Sequence, residues 1–139
     1  MKKTDIAYFA GIFDGEGCVF LQPQSHPSNK QKTTFQMKIQ VVSTNEWICQ
    51  LFRFAFKGVV SIDRQKGNHK IAYRWVATAN NAMICLRSLL PYLHLKRPQT
   101  ELAIKFQQHK TLGGRKTKEY LDLETDFKRE FSRLNHRGK

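Results

Sequence analysis

Cysteine is scarce in this chain of 139 residues. Cys18, Cys49 and Cys85 form an odd set with no C-x-x-C pair, which argues against a disulfide framework and against a zinc cluster. The chain therefore reads as intracellular and reduced. No apolar run approaches the roughly 18 residues that cross a bilayer, so no membrane partner is expected. Met1-Lys2-Lys3 ahead of the apolar residues 6–13 imitates a secretory signal, but Asp14 and Glu16 interrupt it and no cleavage pattern follows. There is no G-x-x-x-x-G-K-[ST] run for a nucleotide, and Gly113-Gly114 reads as a helix break. His26, His69, His94, His109 and His136 lack metal-ligand spacing and are expected on the surface or in loops.

Acid is scarce as well. The chain carries 24 Lys+Arg against 11 Asp+Glu, a formal charge of +13, while 40% hydrophobic and 12% aromatic content still supports a core. Disorder is thereby excluded, and an anionic partner is expected. Between residues 17 and 118 there are seventeen Lys/Arg and three acids, Glu46, Asp63 and Glu101. That imbalance exceeds what an ordinary solvated surface needs and asks for phosphates. Five other acids, Glu119, Asp122, Glu124, Asp126 and Glu130, alternate with Lys128, Arg129 and Arg133 near the C-terminus. They suggest an exposed, salt-bridged helix, and so a core of residues 1–112 followed by a C-terminal helix and tail over 113–139.

Apolar spacing predicts a helix over 5–14, capped by Thr4, carrying Ile6, Phe9, Ala10 and Phe13 on one stripe and ended by Gly15 and Gly17. Period-two alternation predicts strands over 18–24 and 34–43, joined by a polar loop containing Pro23 and Pro27. Asn45 caps a helix over 46–56. The pattern then repeats, with strands over 59–65 and 70–78 and Ile71, Tyr73 and Trp75 on one face. Helices over 79–90, from Pro98, and over 117–134 complete an αββαββα order with C-terminal helices. This is an α+β architecture with helices on one face of an antiparallel sheet. Trp47 and Trp75 fit core positions better than base-stacking ones.

The strand positions opposite the core include Gln22, Gln24, Gln36, Lys38, Gln40, Lys70 and Arg74. Long amide and cationic side chains on a sheet face can reach base edges and phosphates in a major groove. Lys30, Lys32 and Lys66, in the loops between strands, are candidate backbone contacts.

In the first helix, Ala7, Gly11 and Gly15 are spaced by four and leave one stripe almost bare. Such a stripe lets a second helix approach closely; the alternative is packing within the same chain. Asp14 and Glu16 sit at the C-terminal end of this helix, where the macrodipole disfavours carboxylates. A divalent cation removes the conflict, and Mg²⁺ takes one or two carboxylates, waters and phosphate oxygens.

Residues 8–17, Tyr-Phe-Ala-Gly-Ile-Phe-Asp-Gly-Glu-Gly, resemble the signature of the LAGLIDADG homing endonucleases, with Ala10, Gly11, Asp14 and Gly17 identical to the name pattern. The order of elements is similar to that family over about residues 4–110, and residues 93–99, Leu-His-Leu-Lys-Arg-Pro-Gln, resemble its basic segment before a late helix. The resemblance implies a homodimer on double-stranded DNA, because the motif occurs once. It implies a Mg²⁺-dependent endonuclease that cuts both strands of a long, partly palindromic site. Glu16 and the Gly15 carbonyl would hold the metal, Asp14 would tie down the helix end, and Lys96 would be the basic residue near the scissile phosphate. Gln40 or Ser43 would position water. The alternative implied is a non-cutting binder, an intron RNA maturase or DNA-binding regulator on the same fold; a basic structural RNA protein would explain the charge but not the acid pair.

Overall fold

The computed structural model describes residues 1–26, 29–63, 71–111 and 117–136, with the backbone alone at residues 25, 26, 29–33 and 111. Along the chain run α1 (Lys3–Glu16), β1 (Gly17–His26), β2 (Asn29–Ser43), α2 (Glu46–Phe56), β3 (Val59–Asp63), β4 (Ala72–Thr78) and α3 (Ala79–Leu89). A 3₁₀ turn over Leu90–Tyr92, α4 (Arg97–Thr111) and α5 (Lys118–His136) follow. The four strands form one antiparallel sheet in the order β1-β2-β4-β3. The expected αββαββα order with C-terminal helices is the order observed.

Alternation decides which side of the sheet is covered. Val19 and Leu21 of β1, Met37, Ile39 and Val41 of β2, and Trp75 and Ala77 of β4 are buried under the helices. Phe9 of α1 meets Phe52 at 4.9 Å and Phe56 at 5.3 Å, and Phe52 meets Trp75 at 4.9 Å, a ring cluster that locks α1 and α2 onto β4. Asn45 caps α2 as expected, its Oδ1 accepting from the Trp47 N–H at 3.0 Å. The turn into β3 needs Gly58, whose φ is +95° and where a Cβ would overlap the Val76 carbonyl.

Several expectations are corrected. α1 begins at Lys3, one residue before Thr4, with Lys2 as an N-cap that makes no side-chain bond, and it runs through Gly15 to Glu16. The helix ends because the chain turns at extended Gly17, where any Cβ would collide with Phe13. The strands β1 and β2 extend through most of the expected loop, Pro23 pairing with Phe35. Proline is tolerated there because β1 is an edge strand. The carbonyls of Val19 and Leu21 accept from Asn135 and Lys128 of α5, at 3.1 and 3.2 Å. Odd residues of β1 therefore turn their backbone groups away from β2, and Pro23 removes no ladder bond. Ile71, expected inward, is exposed ahead of β4.

Trp47 is 59% exposed, not in the core. The buried residues of α2 are Cys49, Phe52 and Phe56, and Trp47 falls off that stripe. The expected salt-bridged character of α5 holds for its outer face, where Arg129 pairs with Asp126 and Arg133 with Glu130. Its inner face is different: Phe131 and Leu121 are buried, and so is Glu124, which binds Lys110 at 2.6 Å and accepts from the Phe35 N–H at 3.1 Å. This buried ion pair joins α5 to α4 and β2. His109, expected on the surface or in a loop, is half-buried on α4 and stacks on Tyr120 at 4.1 Å.

Candidate nucleic-acid interface and metal centre

Register sets the uncovered face of the sheet row by row. Gln22 lies opposite Gln36, Phe20 opposite Lys38 and Thr78, Cys18 opposite Gln40 and Val76, and Val42 opposite Arg74 and Ser61. Gln24 keeps the same alternation and sits opposite Thr34, which is buried. Lys38 donates to the Gln22 Oε1 at 2.6 Å, and Arg74 donates to Asp63 at 2.9 Å. The apolar members Phe20, Val42, Val59 and Val76 were not singled out in the sequence, although the same alternation marks them. Lys30 and Lys32 lie on the β2 backbone with side chains outside the described residues, and Lys66 and Lys70 lie outside the described residues altogether.

The end of α1 runs directly into β1. Asp14 turns inward, and its carboxylate accepts from the N–H groups of His94, Leu95 and Lys96 at 2.8, 3.1 and 3.0 Å. Asp14 and Glu16 are therefore not an acid pair. One fastens the segment that enters α4, while the other is left exposed at the last helical position. Lys96, brought in by Asp14, lines a groove of about 420 Å³ with Gly17, Cys18, Gln99 and the end of α5. Burial pushes the Cys18 thiol up, and the Lys96 charge beside it opposes the shift.

Of the two residues left open for positioning water, Gln40 is on the uncovered face, opposite Cys18, which follows Glu16 by two residues in the chain. The Ser43 hydroxyl instead accepts from the Asn45 N–H at 3.0 Å in the turn before α2. Ala7, Gly11 and Gly15 are all exposed, and a Cβ on either glycine would meet nothing within 4 Å. The stripe is thus bare within the chain, and packing against another described element is overturned.

The donor set suits a hard cation. Glu16 offers a solvent-facing carboxylate, and the Gly15 carbonyl is among the last of the helix, with no intrahelical N–H to accept. Among the described residues no three His, Cys, Asp or Glu cluster as a closed metal cage. One carboxylate and one carbonyl leave the rest of the shell to waters and phosphate oxygens, which is how Mg²⁺ is held and how structural zinc is not.

The architecture is that of the LAGLIDADG homing endonucleases. The homing endonuclease I-CvuI in complex with its target and Ca matches with a TM-score of 0.77 at 23% identity, over 94% of this chain and 82% of that one. The archaeal intron-encoded I-Vdi141I bound to DNA matches with a TM-score of 0.80 at 11% identity, over 96% and 86%. I-GzeII in complex with its DNA target matches with a TM-score of 0.69 at 14% identity, over 91% of this chain but 43% of that one. No protein-family model matches the chain, and no curated protein matches it.

Proposed function

We propose that two copies of this chain form a site-specific DNA endonuclease that cuts both strands of a long, partly palindromic duplex. The observation that carries the reading is the grip of Asp14 on residues 94–96, which sets Lys96 beside Gly17 and Cys18 at the start of β1, directly after the exposed Glu16 in the chain. Glu16 and the Gly15 carbonyl would hold Mg²⁺. Bound there, the ion would stabilise charge on a phosphoryl oxygen and make water a better nucleophile. Lys96 supplies a cation for the scissile phosphate, and Gln40 supplies an amide that can orient the attacking water. Gln22, Gln24, Gln36, Lys38 and Arg74 face the bases, while the lysines near the strand ends contribute salt-sensitive phosphate contacts.

Three features support a homodimer. Each chain has one Glu16, and two strands need two. I-GzeII, of which this chain spans less than half, has length for two such units. The bare stripe also continues into an apolar surface between α1 and α2 that exposes Met1, Tyr8, Trp47 and Phe54. A helix of 14 residues is about 21 Å long, too small by itself for the roughly 1,200 Å² of a stable interface, so this adjoining surface supplies needed area.

The test compares the native protein with Glu16→Gln on a random duplex library, with and without Mg²⁺. The native protein should cut in Mg²⁺ alone, and Glu16→Gln should bind the selected site without cutting it. Cutting by the variant would reject the metal assignment; binding without cutting by both would leave the non-cutting reading standing instead.

A further inference from the structure

We infer that Arg74, held by Asp63, reads a guanine in each half of the duplex site; this rests on the DNA-binding reading above and extends it to the identity of a base. Register places Arg74 in a row between Val42 and Ser61, with Val76 next along β4 and Asp63 opposite Ala72 one row away. The Arg74 Nη2 donates to the Asp63 Oδ2 at 2.9 Å, and the two side chains are 39% and 27% exposed. The guanidinium is therefore partly sheltered and already oriented, on the face that the helices leave open.

What such a group can recognise follows from its donors. A guanidinium carries five N–H donors in a rigid fork and no acceptor. The bond to Asp63 occupies one of them and fixes the plane, so less freedom is lost when the others engage. In the major groove guanine presents two acceptors, N7 and O6, whereas adenine presents an acceptor beside a donor, cytosine a donor, and thymine one acceptor beside a methyl group. A fork that can only donate is matched in both positions by guanine alone.

Asp63 narrows the choice further. Its charge opposes a phosphate at this spot, so Arg74 is poorly placed as a backbone clamp. Its second oxygen can accept from the amino group of a cytosine, which favours a G·C pair again. Val42 and Val76 offer no competing hydrogen bonds. An ion pair that merely fastened β3 to β4 would make a different prediction, because its loss would weaken every duplex equally.

The experiment selects bound duplexes from a random library at one fixed salt concentration, using the native protein, Arg74→Lys, Arg74→Ala and Asp63→Asn, each checked for folding by thermal melting. The native protein should select G·C at one symmetric position in each half-site. Arg74→Ala should lower that preference by roughly tenfold to a hundredfold while leaving other positions unchanged, Arg74→Lys should lower it at the same position by a smaller factor, and Asp63→Asn should relax that position too. Arg74→Lys carries the test if the alanine variant fails to fold, since lysine keeps the charge without the fork. Uniform weakening at all positions, or a preference for A·T at the affected one, overturns the inference and leaves the endonuclease reading intact. A native protein that selects no duplex at all overturns both.

Discussion

The Asp14 carboxylate accepts the Lys96 backbone N–H at 3.0 Å, across 82 residues of sequence. With the bonds to His94 and Leu95, it ties the end of α1 to the entrance of α4. A residue in the last turn of the first helix therefore also sets where the proposed catalytic lysine stands.

Removing that link should cost both stability and positioning. Hydrogen bonds to a charged acceptor contribute about 1.5–3 kcal/mol, so Asp14→Ala should destabilise the fold by at least that much, and Asp14→Asn by less. At a temperature where the variant is folded, cutting should fall further than the folded fraction accounts for. Urea midpoints combined with single-turnover cleavage measure both, and unchanged stability in Asp14→Ala would contradict the geometry.

Gly11 faces open space within the chain. Gly11→Leu should be accommodated by a single copy and should raise helix stability by up to about 1 kcal/mol. It should nevertheless block close approach of a second α1. Light scattering should show the native protein as a dimer and Gly11→Leu as a monomer; a native monomer, or an undisturbed variant dimer, would sink the proposed mode of association.

Glu124 is fully buried between Lys110 and the Phe35 N–H. Glu124→Ala would strand the Lys110 charge at a 20% exposed site and should cost about 3–5 kcal/mol. The double variant Lys110→Met with Glu124→Leu removes both charges and should recover much of that loss. Chemical denaturation of the two proteins decides it, and equal losses would show that the charge pairing is not the cause.

Burial pushes the Cys85 thiol far above its ordinary range, and Cys18 and Cys49 shift the same way, Cys18 opposed in part by Lys96. A thiol whose folded pKa is raised releases its proton more readily when unfolded. Its contribution is intact below the unfolded pKa of about 8.5 and is lost as pH climbs from there towards the folded value, by up to about 1.4 kcal/mol per pH unit per thiol. Cys85→Ala should be less stable at pH 7.5 and should lose stability more slowly between pH 9 and 10.5. Parallel stability curves for the two proteins would refute this.

The elements were largely legible from residue spacing, because amphipathic periodicity is written within a few consecutive residues. The buried positions of β2 and β4, the α2 cap at Asn45 and the bare stripe of α1 all follow from patterns shorter than a dozen positions. Pro23 misled for a local reason, since a proline excludes a central strand but not an edge. Trp47 misled because a large aromatic is expected inside, while the helix phase set by Cys49, Phe52 and Phe56 turns it out.

Composition, charge balance, the period of each element and the motif at the front are properties of the chain taken in order, and they settled the fold class and pointed to an anionic partner. Which groups meet across long separations is another matter. Asp14 with residues 94–96, Glu124 with Phe35, Arg74 with Asp63, and Gln40 in preference to Ser43 on the open face were decided by the tertiary structure. Local preference acts through a residue's own neighbours along the backbone. A polar partner 80 residues away is chosen only when sheet register and helix docking bring two unsatisfied groups within 3 Å of each other.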